Sequence, residues 1–387
     1  MLFHTFCIFF SSKLLPLLYA LIGFELLITI HELGHFLFCK IFGIHTPTFS
    51  IGFGPEVFRK KIGNTNFRIA IIPLGGYVEI SGLAEVGQGS QEHAEQKGSD
   101  SFGVKPYWQK FLVLSGGILF NLIFAYGVFV TLFMAGTDTK NIGVTVAAIV
   151  KDSAAEKFNI HPGDQITAIN KTSLQDEEQN LLPQARQILW SEIRKHPGEK
   201  VKLHLIRDNK KIVKRLKIGV LQDGSTQVGS LGAMLQAPIP RLPFMQAICE
   251  GIKLTNQWIC DIARSVKYLI TQRTLEGAGG PVMILSQSFT SAQNGLMALL
   301  AFLAIISINL ALMNILPIGA LDGGQLLFVT IEAIIRRRIP DSVKLAINLA
   351  SWALFIGLAL YLTYKDIITI FGDSLSKLFA SIMTLVK

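Results

Sequence analysis

His31, Glu32 and His35 stand in an H-E-x-x-H arrangement. On a helix, positions i and i+4 share a face, so two imidazoles so spaced can reach one metal ion. The glutamate beside the first histidine can take a proton from a water that such an ion polarises. The cluster lies inside an apolar run from about Leu14 to Cys39. Histidine and glutamate are costly there unless they are paired, bound to metal or exposed to a wet cavity. A hydrolytic zinc site needs a third protein ligand and leaves its fourth position to water. Asp322 is the best candidate, because Pro317, Gly319, Gly323 and Gly324 around it interrupt regular helix and let the acid turn toward an ion. Glu25, seven residues before Glu32, falls on roughly the same face and reads as a water contact or an acid outside the ligand set. His4 and His45 read as surface or interfacial side chains. A set of two nitrogens and one oxygen does not by itself exclude iron, cobalt or manganese.

These residues need elements that hold them at one depth in a bilayer. Only 16% of the 387 residues are Asp, Glu, Lys or Arg, well under the roughly 25% of soluble domains. With a mean hydropathy of +0.45, that excludes a simple soluble enzyme. The +9 net charge comes without a basic aromatic stripe or a binding motif, so nucleic acid is not the partner. Four apolar segments approach the length needed to cross a membrane, at about 14–39, 111–134, 296–316 and 343–364. The first continues into its charged motif with no cleavage-site pattern, so it reads as a retained helix and not a signal peptide. Eight Lys or Arg in residues 40–110, and Arg336, Arg337, Arg338 and Lys344 after the third span, put both connections on the cytoplasmic side. The segment 137–240 and both termini then lie outside. The cysteines at 7, 39, 249 and 260 form no CxxC pair, and Cys7 and Cys39, in apolar runs, read as buried thiols.

Residues 45–80 read as short strands with glycine turns, over Thr48 to Ile51, Phe67 to Ile72 and Tyr77 to Ile80. Apolar sheet edges cannot face lipid unpaired, so this region must fold against the helices or line a cavity. Residues 81–103 read as a polar surface loop. Residues 141–220 carry a soluble α+β rhythm, with strands at 142–150, 165–169, 200–206 and 211–218 and helices at 153–158 and 184–193. Phe244 to Ile270 has helical apolar spacing broken by Glu250, Lys253, Asp261, Arg264 and Lys267, which is an amphipathic helix along the membrane or the bundle. Residues 366–387 also read as amphipathic and interfacial.

The chain resembles the site-2 protease family of intramembrane zinc metalloproteases (peptidase family M50), in its bacterial regulator-of-sigma-E protease branch. His31 through Phe36 matches the first catalytic motif, and Asn309 through Gly324 matches the second, ending in Leu321-Asp322-Gly323. Gly52-Phe53-Gly54-Pro55 and Pro73 through Val78 resemble the membrane-facing β region, and Ser115-Gly116-Gly117 through Asn121 resembles the glycine-plus-asparagine pattern of the second span. The resemblance implies that His31, His35 and Asp322 ligate Zn(2+), that Glu32 is the catalytic base, and that Asn309 and Asn314 contact substrate backbone. It also implies that the extracytoplasmic insert is PDZ-like, on the strength of Pro162-Gly163-Asp164, Ile166 and Ile169-Asn170.

The expected fold is therefore a polytopic α-helical membrane protein with four transmembrane helices, a membrane-associated β region and one inserted extracytoplasmic PDZ-like α+β domain. Its expected parts are an N-terminal membrane catalytic half at 1–136, a PDZ-like domain at 137–240, an amphipathic helical linker at 241–295 and a C-terminal catalytic half at 296–387. The expected enzyme is a zinc-dependent intramembrane endopeptidase of the bacterial inner membrane. Its implied substrates are single-pass membrane proteins of the anti-sigma-factor type, with signal-peptide remnants as a second class, and its surroundings are the lipid bilayer. Two features depart from the family pattern: the insert has room for one PDZ copy where well-studied members carry two, and Gly319 stands where many relatives have proline. A catalytically silent PDZ-bearing membrane scaffold is the rival reading, and the presence of all four chemical residues argues against it. A metal transporter would distribute ionisable residues over several spans, whereas here they converge.

Overall fold

The computed structural model describes residues 13–83, 98–136, 143–149, 153–177, 181–182, 185–207, 209–223, 226–236, 239, 241–272, 275 and 278–385. His4, Cys7 and most of the expected 81–103 loop lie outside these residues. The chain forms two compact units, Met1–Phe129 with Gly251–Lys387, and Val130–Glu250.

In the first unit, α1 (Leu15–Ile41), α2 (Tyr107–Ala135), α7 (Leu296–Ile315) and α9 (Asp341–Leu385, of which Asp341–Thr369 is the apolar part) are long and apolar enough to cross a membrane. The 20 residues of α7 rise about 30 Å, the thickness of the hydrocarbon layer. Leu296, Leu354 and Leu360 are each 66% exposed, a surface that suits lipid and not water. The four expected spans are thus present within a few residues of their expected ends. The run expected to be interfacial, 366–387, continues the helix of α9 through Leu385. Two helices were not anticipated: α6 (Pro281–Gln293), which starts on a proline as helices favour, and α8 (Asp322–Ile335).

The β region is also simpler than the three short strands expected. It is one bent hairpin of β1 (Thr48–Ile62) and β2 (Thr65–Val78), closed by Gly63-Asn64. Gly52 and Gly54, which look like strand-ending turns, have φ of +83° and +89° inside β1 and let it bend without ending. Because of that bend Phe49, Ser50 and Ile51 each pair twice, with Phe67, Arg68 and Ile69 and with Val78, Tyr77 and Gly76. The hairpin base packs with Cys39 and Phe36 of α1, Val113 and Leu114 of α2, and Leu326 and Val329 of α8 in one core. Lys40 secures the turn by donating to Asn64 Oδ1 and Thr65 Oγ1, both at 2.7 Å.

The second unit holds an antiparallel sheet in the order β10-β3-β4-β6-β7, from β3 (Val144–Ile149), β4 (Gln165–Ile169), β6 (Lys200–Arg207), β7 (Lys210–Lys217) and β10 (Ala233–Gln236). The short β5 (Thr172–Ser173) pairs with β4, and β8 (Gly219–Asp223) with β9 (Thr226–Ser230) makes a separate hairpin. Along β6, Val201, Leu203 and Leu205 are buried while Lys200 and Lys202 face out, the period-2 alternation of a half-covered sheet. Those residues pack with Ala155 of α3 (Ala154–Lys157) and with Leu189 and Ile193 of α4 (Ala185–Lys195). Asp164, 1% exposed, receives a two-point contact from Arg207 Nε and Nη2 at 2.6 Å each. The amphipathic segment is a continuous helix, α5 (Phe244–Gln272). Among the described cysteines, Cys39 is buried, as its apolar run leads one to expect, and Cys249 and Cys260 are exposed.

Candidate metal centre and active site

His31 and His35 are one turn apart on α1, and their Nε2 atoms lie 3.2 Å apart. Asp322 Oδ2 stands 3.2 Å from His31 Nε2 and 3.5 Å from His35 Nε2. Ligands bonded at about 2.0–2.1 Å in a tetrahedral array lie about 3.3 Å from one another, so the three atoms have the separation that a shared ion requires. Asp322 Oδ2 is buried and has no hydrogen-bond partner, and such an atom costs free energy unless a cation or proton meets it. The residues therefore fit a metal.

The other ring nitrogens show how the imidazoles are oriented. His35 Nδ1 donates to Val113 O of α2 at 2.8 Å, which leaves Nε2 unprotonated for a metal. His31 Nδ1 faces the side-chain amide of the fully buried Asn121, also on α2, at 3.1 Å. A histidine that offers Nε2 to an ion carries its proton on Nδ1, so the amide oxygen is the group that serves it. Turning the amide by 180° achieves this and gives Asn121 Oδ1, otherwise unpartnered, a donor. Ser307 of α7 donates to the Asn121 carbonyl at 2.9 Å and ties a third helix to this support.

Close packing of α1 on α2 makes the arrangement possible. A Cβ built on Gly34 would lie 2.2 Å from Gly116 O, and one on Gly117 would lie 2.4 Å from His35 Nε2 and 2.5 Å from His31 Cε1. Glycine at these positions lets the backbones touch and leaves room for the rings. Asp322 arrives differently from expectation. The chain breaks only at 316–321, Leu321 caps in an extended conformation, and Asp322 is the first residue of α8. Gly323 and Gly324 lie inside α8, where they pack against the carbonyls of Leu316 and Ile318. A carboxylate in the first turn is favoured by the helix dipole.

Glu32 follows His31, and its carboxylate interacts electrostatically with His31, His35 and Asp322. Its Oε2 accepts from Val78 N at 3.1 Å, so the end of β2 runs beside the cluster. Glu25 accepts from Gly75 N at 3.2 Å and binds the same strand further along. Asn309 and Asn314 are half-buried on α7. His45 meets the Asn64 amide at 3.1 Å beside the hairpin turn. Sequence reasoning noticed Asn121 only as part of a packing pattern. Its signal was a polar side chain in an apolar span, four residues from the glycine under the histidines.

Two imidazoles and a carboxylate around one point, with a glutamate alongside and membrane-length helices as the frame, define a metallohydrolase of the membrane. The chain belongs to peptidase family M50, whose model matches residues 19–358, and it is a zinc-dependent protease. A candidate zinc metalloprotease of Clostridium perfringens is 33% identical over 356 residues, covering 91% of this chain and 98% of the relative. The zinc metalloprotease RasP of Bacillus licheniformis is 26% identical over 426 residues, covering 90% and 97%. A Listeria monocytogenes PDZ domain is 20% identical over 26% of this chain and 93% of that domain, with a TM-score of 0.20, too low to assign a fold. The resemblance read from the motifs is borne out at the level of the family.

Proposed function

We propose that the protein is an intramembrane endopeptidase in which His31, His35 and Asp322 hold Zn(2+) and Glu32 moves the proton. The convergence of three ligand atoms at 3.2–3.5 Å, with both Nδ1 atoms turned toward α2, carries the reading. When bound, zinc lowers the pKa of a water and polarises the scissile carbonyl. Glu32 accepts a proton from that water and returns it to the leaving amine. Val78 N holds the Glu32 carboxylate in place meanwhile, and Asn121 and Val113 O keep the histidines in the required tautomer. The substrate must be extended at the cut, because a helical peptide bond is shielded by its neighbouring turns. The strand 75–78, which runs beside Glu32, and Asn309 and Asn314 on α7 are the proposed contacts for its backbone.

The substrates are membrane proteins, and within that class the proposed targets are single-pass anti-sigma-type proteins or signal-peptide remnants. The four proposed regions keep their bounds at 1–136, 137–240, 241–295 and 296–387, with the second a PDZ-like domain that screens substrates outside the membrane. Arg336, Arg337 and Arg338 support an orientation with that domain and both termini extracytoplasmic and the catalytic cluster near the cytoplasmic side. The test is metal analysis and cleavage of a helix-destabilised membrane substrate by the purified chain. About one zinc per chain is expected, with cleavage abolished in Glu32→Gln and zinc retained. Undiminished cleavage by Glu32→Gln sinks the mechanism.

A further inference from the structure

We infer that the surface where α2 begins, α8 ends and α9 begins is a binding site for the phosphate headgroup of an anionic phospholipid. A cavity of about 220 Å³ opens there, lined by Tyr107 and Lys110 of α2, Glu332 of α8, and Arg336, Arg337 and Arg338 of the link to α9. That volume is several times the ~30 Å³ of a liquid water and accommodates a phosphate group. Its one carboxylate is already engaged, since Glu332 Oε1 accepts from Lys344 Nζ at 2.7 Å and from Ile339 N at 2.9 Å. Among the described residues, no carboxylate forms an ion pair with Arg336, Arg337 or Arg338. The cavity therefore gathers Lys110 and three arginines around a single carboxylate that Lys344 already pairs.

Topology alone does not account for this arrangement. The positive-inside rule asks for basic residues in the link, but not that they converge with a lysine from another span. Arg336 ends α8 with φ of +57°, a left-handed position where glycine or asparagine is the usual residue. An arginine kept there supplies a side chain at a backbone cost that glycine would avoid. Depth selects lipid over a soluble anion. Trp108, 54% exposed, and Tyr107 stand at the start of a span, the level where aromatic side chains meet headgroups. Basic pockets between transmembrane helices at that level suit anionic headgroups, and the guanidinium forks suit phosphate oxygens.

The experiment uses the full chain in phosphatidylcholine nanodiscs, with phosphatidylglycerol titrated in and bound lipid read by native mass spectrometry. The double variant Lys110→Gln/Arg338→Gln leaves Arg336 and Arg337 to maintain topology. It should lower phosphatidylglycerol retention about thirtyfold, from about fivefold per lost charge. Lys253→Gln/Arg264→Gln on α5 makes the same charge change elsewhere and should leave retention unchanged. If the double variant does not fold, Arg338→Lys keeps the charge, loses the fork and should still reduce retention. Equal retention by wild type and the Lys110 or Arg338 variants overturns the site. Inorganic phosphate that displaces phosphatidylglycerol as effectively as added lipid overturns the lipid assignment, and its failure to compete supports it.

Discussion

Gly117→Ala separates the metal centre from the fold, because one methyl group acts on them in opposite directions. The new Cβ would stand 2.4 Å from His35 Nε2, 2.5 Å from His31 Cε1 and 2.6 Å from His31 Nδ1. Ordinary contact needs roughly 3.5 Å, so both rings must shift by about 1 Å. Metal sites tolerate about 0.2 Å, and a 1 Å misplacement of a catalytic group costs on the order of 100-fold in rate. The helix itself should benefit, since alanine is favoured over glycine in a helix interior by about 0.8–1.0 kcal/mol. The comparison is Gly127→Ala on the same helix, where an added Cβ meets nothing within 4 Å. The assay measures zinc per chain by elemental analysis, cleavage of a membrane substrate, and helix content of the purified proteins. Gly117→Ala should keep its helix content, lose most of its zinc and fall at least about 100-fold in activity, while Gly127→Ala matches wild type. A Gly117→Ala protein with full zinc and near-normal cleavage would refute the claim that α2 packs directly against the ligand rings.

Asn121→Ala should weaken zinc binding about 10–100-fold, and Asn121→Asp, which still offers His31 Nδ1 an acceptor, should recover it in a zinc-competition titration. Asp366 is buried in α9 and accepts from Gly280 N at 3.1 Å and Met283 N at 2.8 Å. Asp366→Ala strands both donors and should cost about 2–6 kcal/mol, read as a lowered unfolding temperature in detergent with the zinc site still able to load. In the second unit, burial alone would raise the Asp164 carboxyl, but Arg207 and the His161 N–H hold it below the ordinary carboxylate range. Its stabilisation is therefore present above about pH 4 and is lost as the pH falls through the lower native value. Arg207→Ala should cost about 3 kcal/mol at neutral pH and flatten the acid side of a pH–stability curve followed by amide exchange of β4 and β6.

What could be read from the sequence depended on whether a local pattern carried the information. The spacing of His31 and His35 is a helical period, so it holds once the segment is a helix. The four spans follow from apolar length alone, and Asp322 stood out as an acid at a proline-and-glycine break. That Asp322 opens α8, with Gly323 and Gly324 inside it, was hidden because paired glycines ordinarily weaken helix. Here they are retained because the carbonyls of Leu316 and Ile318 leave no space for a Cβ. The hairpin was broken into pieces for a similar reason, since a glycine that bends a strand looks the same as one that ends it. Asn121 and Asp366 depend on which helix faces which, and a single sequence does not record that.

The Gly34–Gly116 crossing also divides the metal ligands by how they are held. Where two backbones touch, no side chains lie between them to change rotamer and fill a gap, so separating them would open an empty seam. His31, His35, Asn121 and Val113 all sit on that inseparable pair. Asp322 does not: it reaches them from α8, across the non-helical break at 316–321. Two of the three ligand side chains are thus fixed by a single helix pair, and the geometry of the third depends on how Leu326 and Val329 seat α8 against that pair.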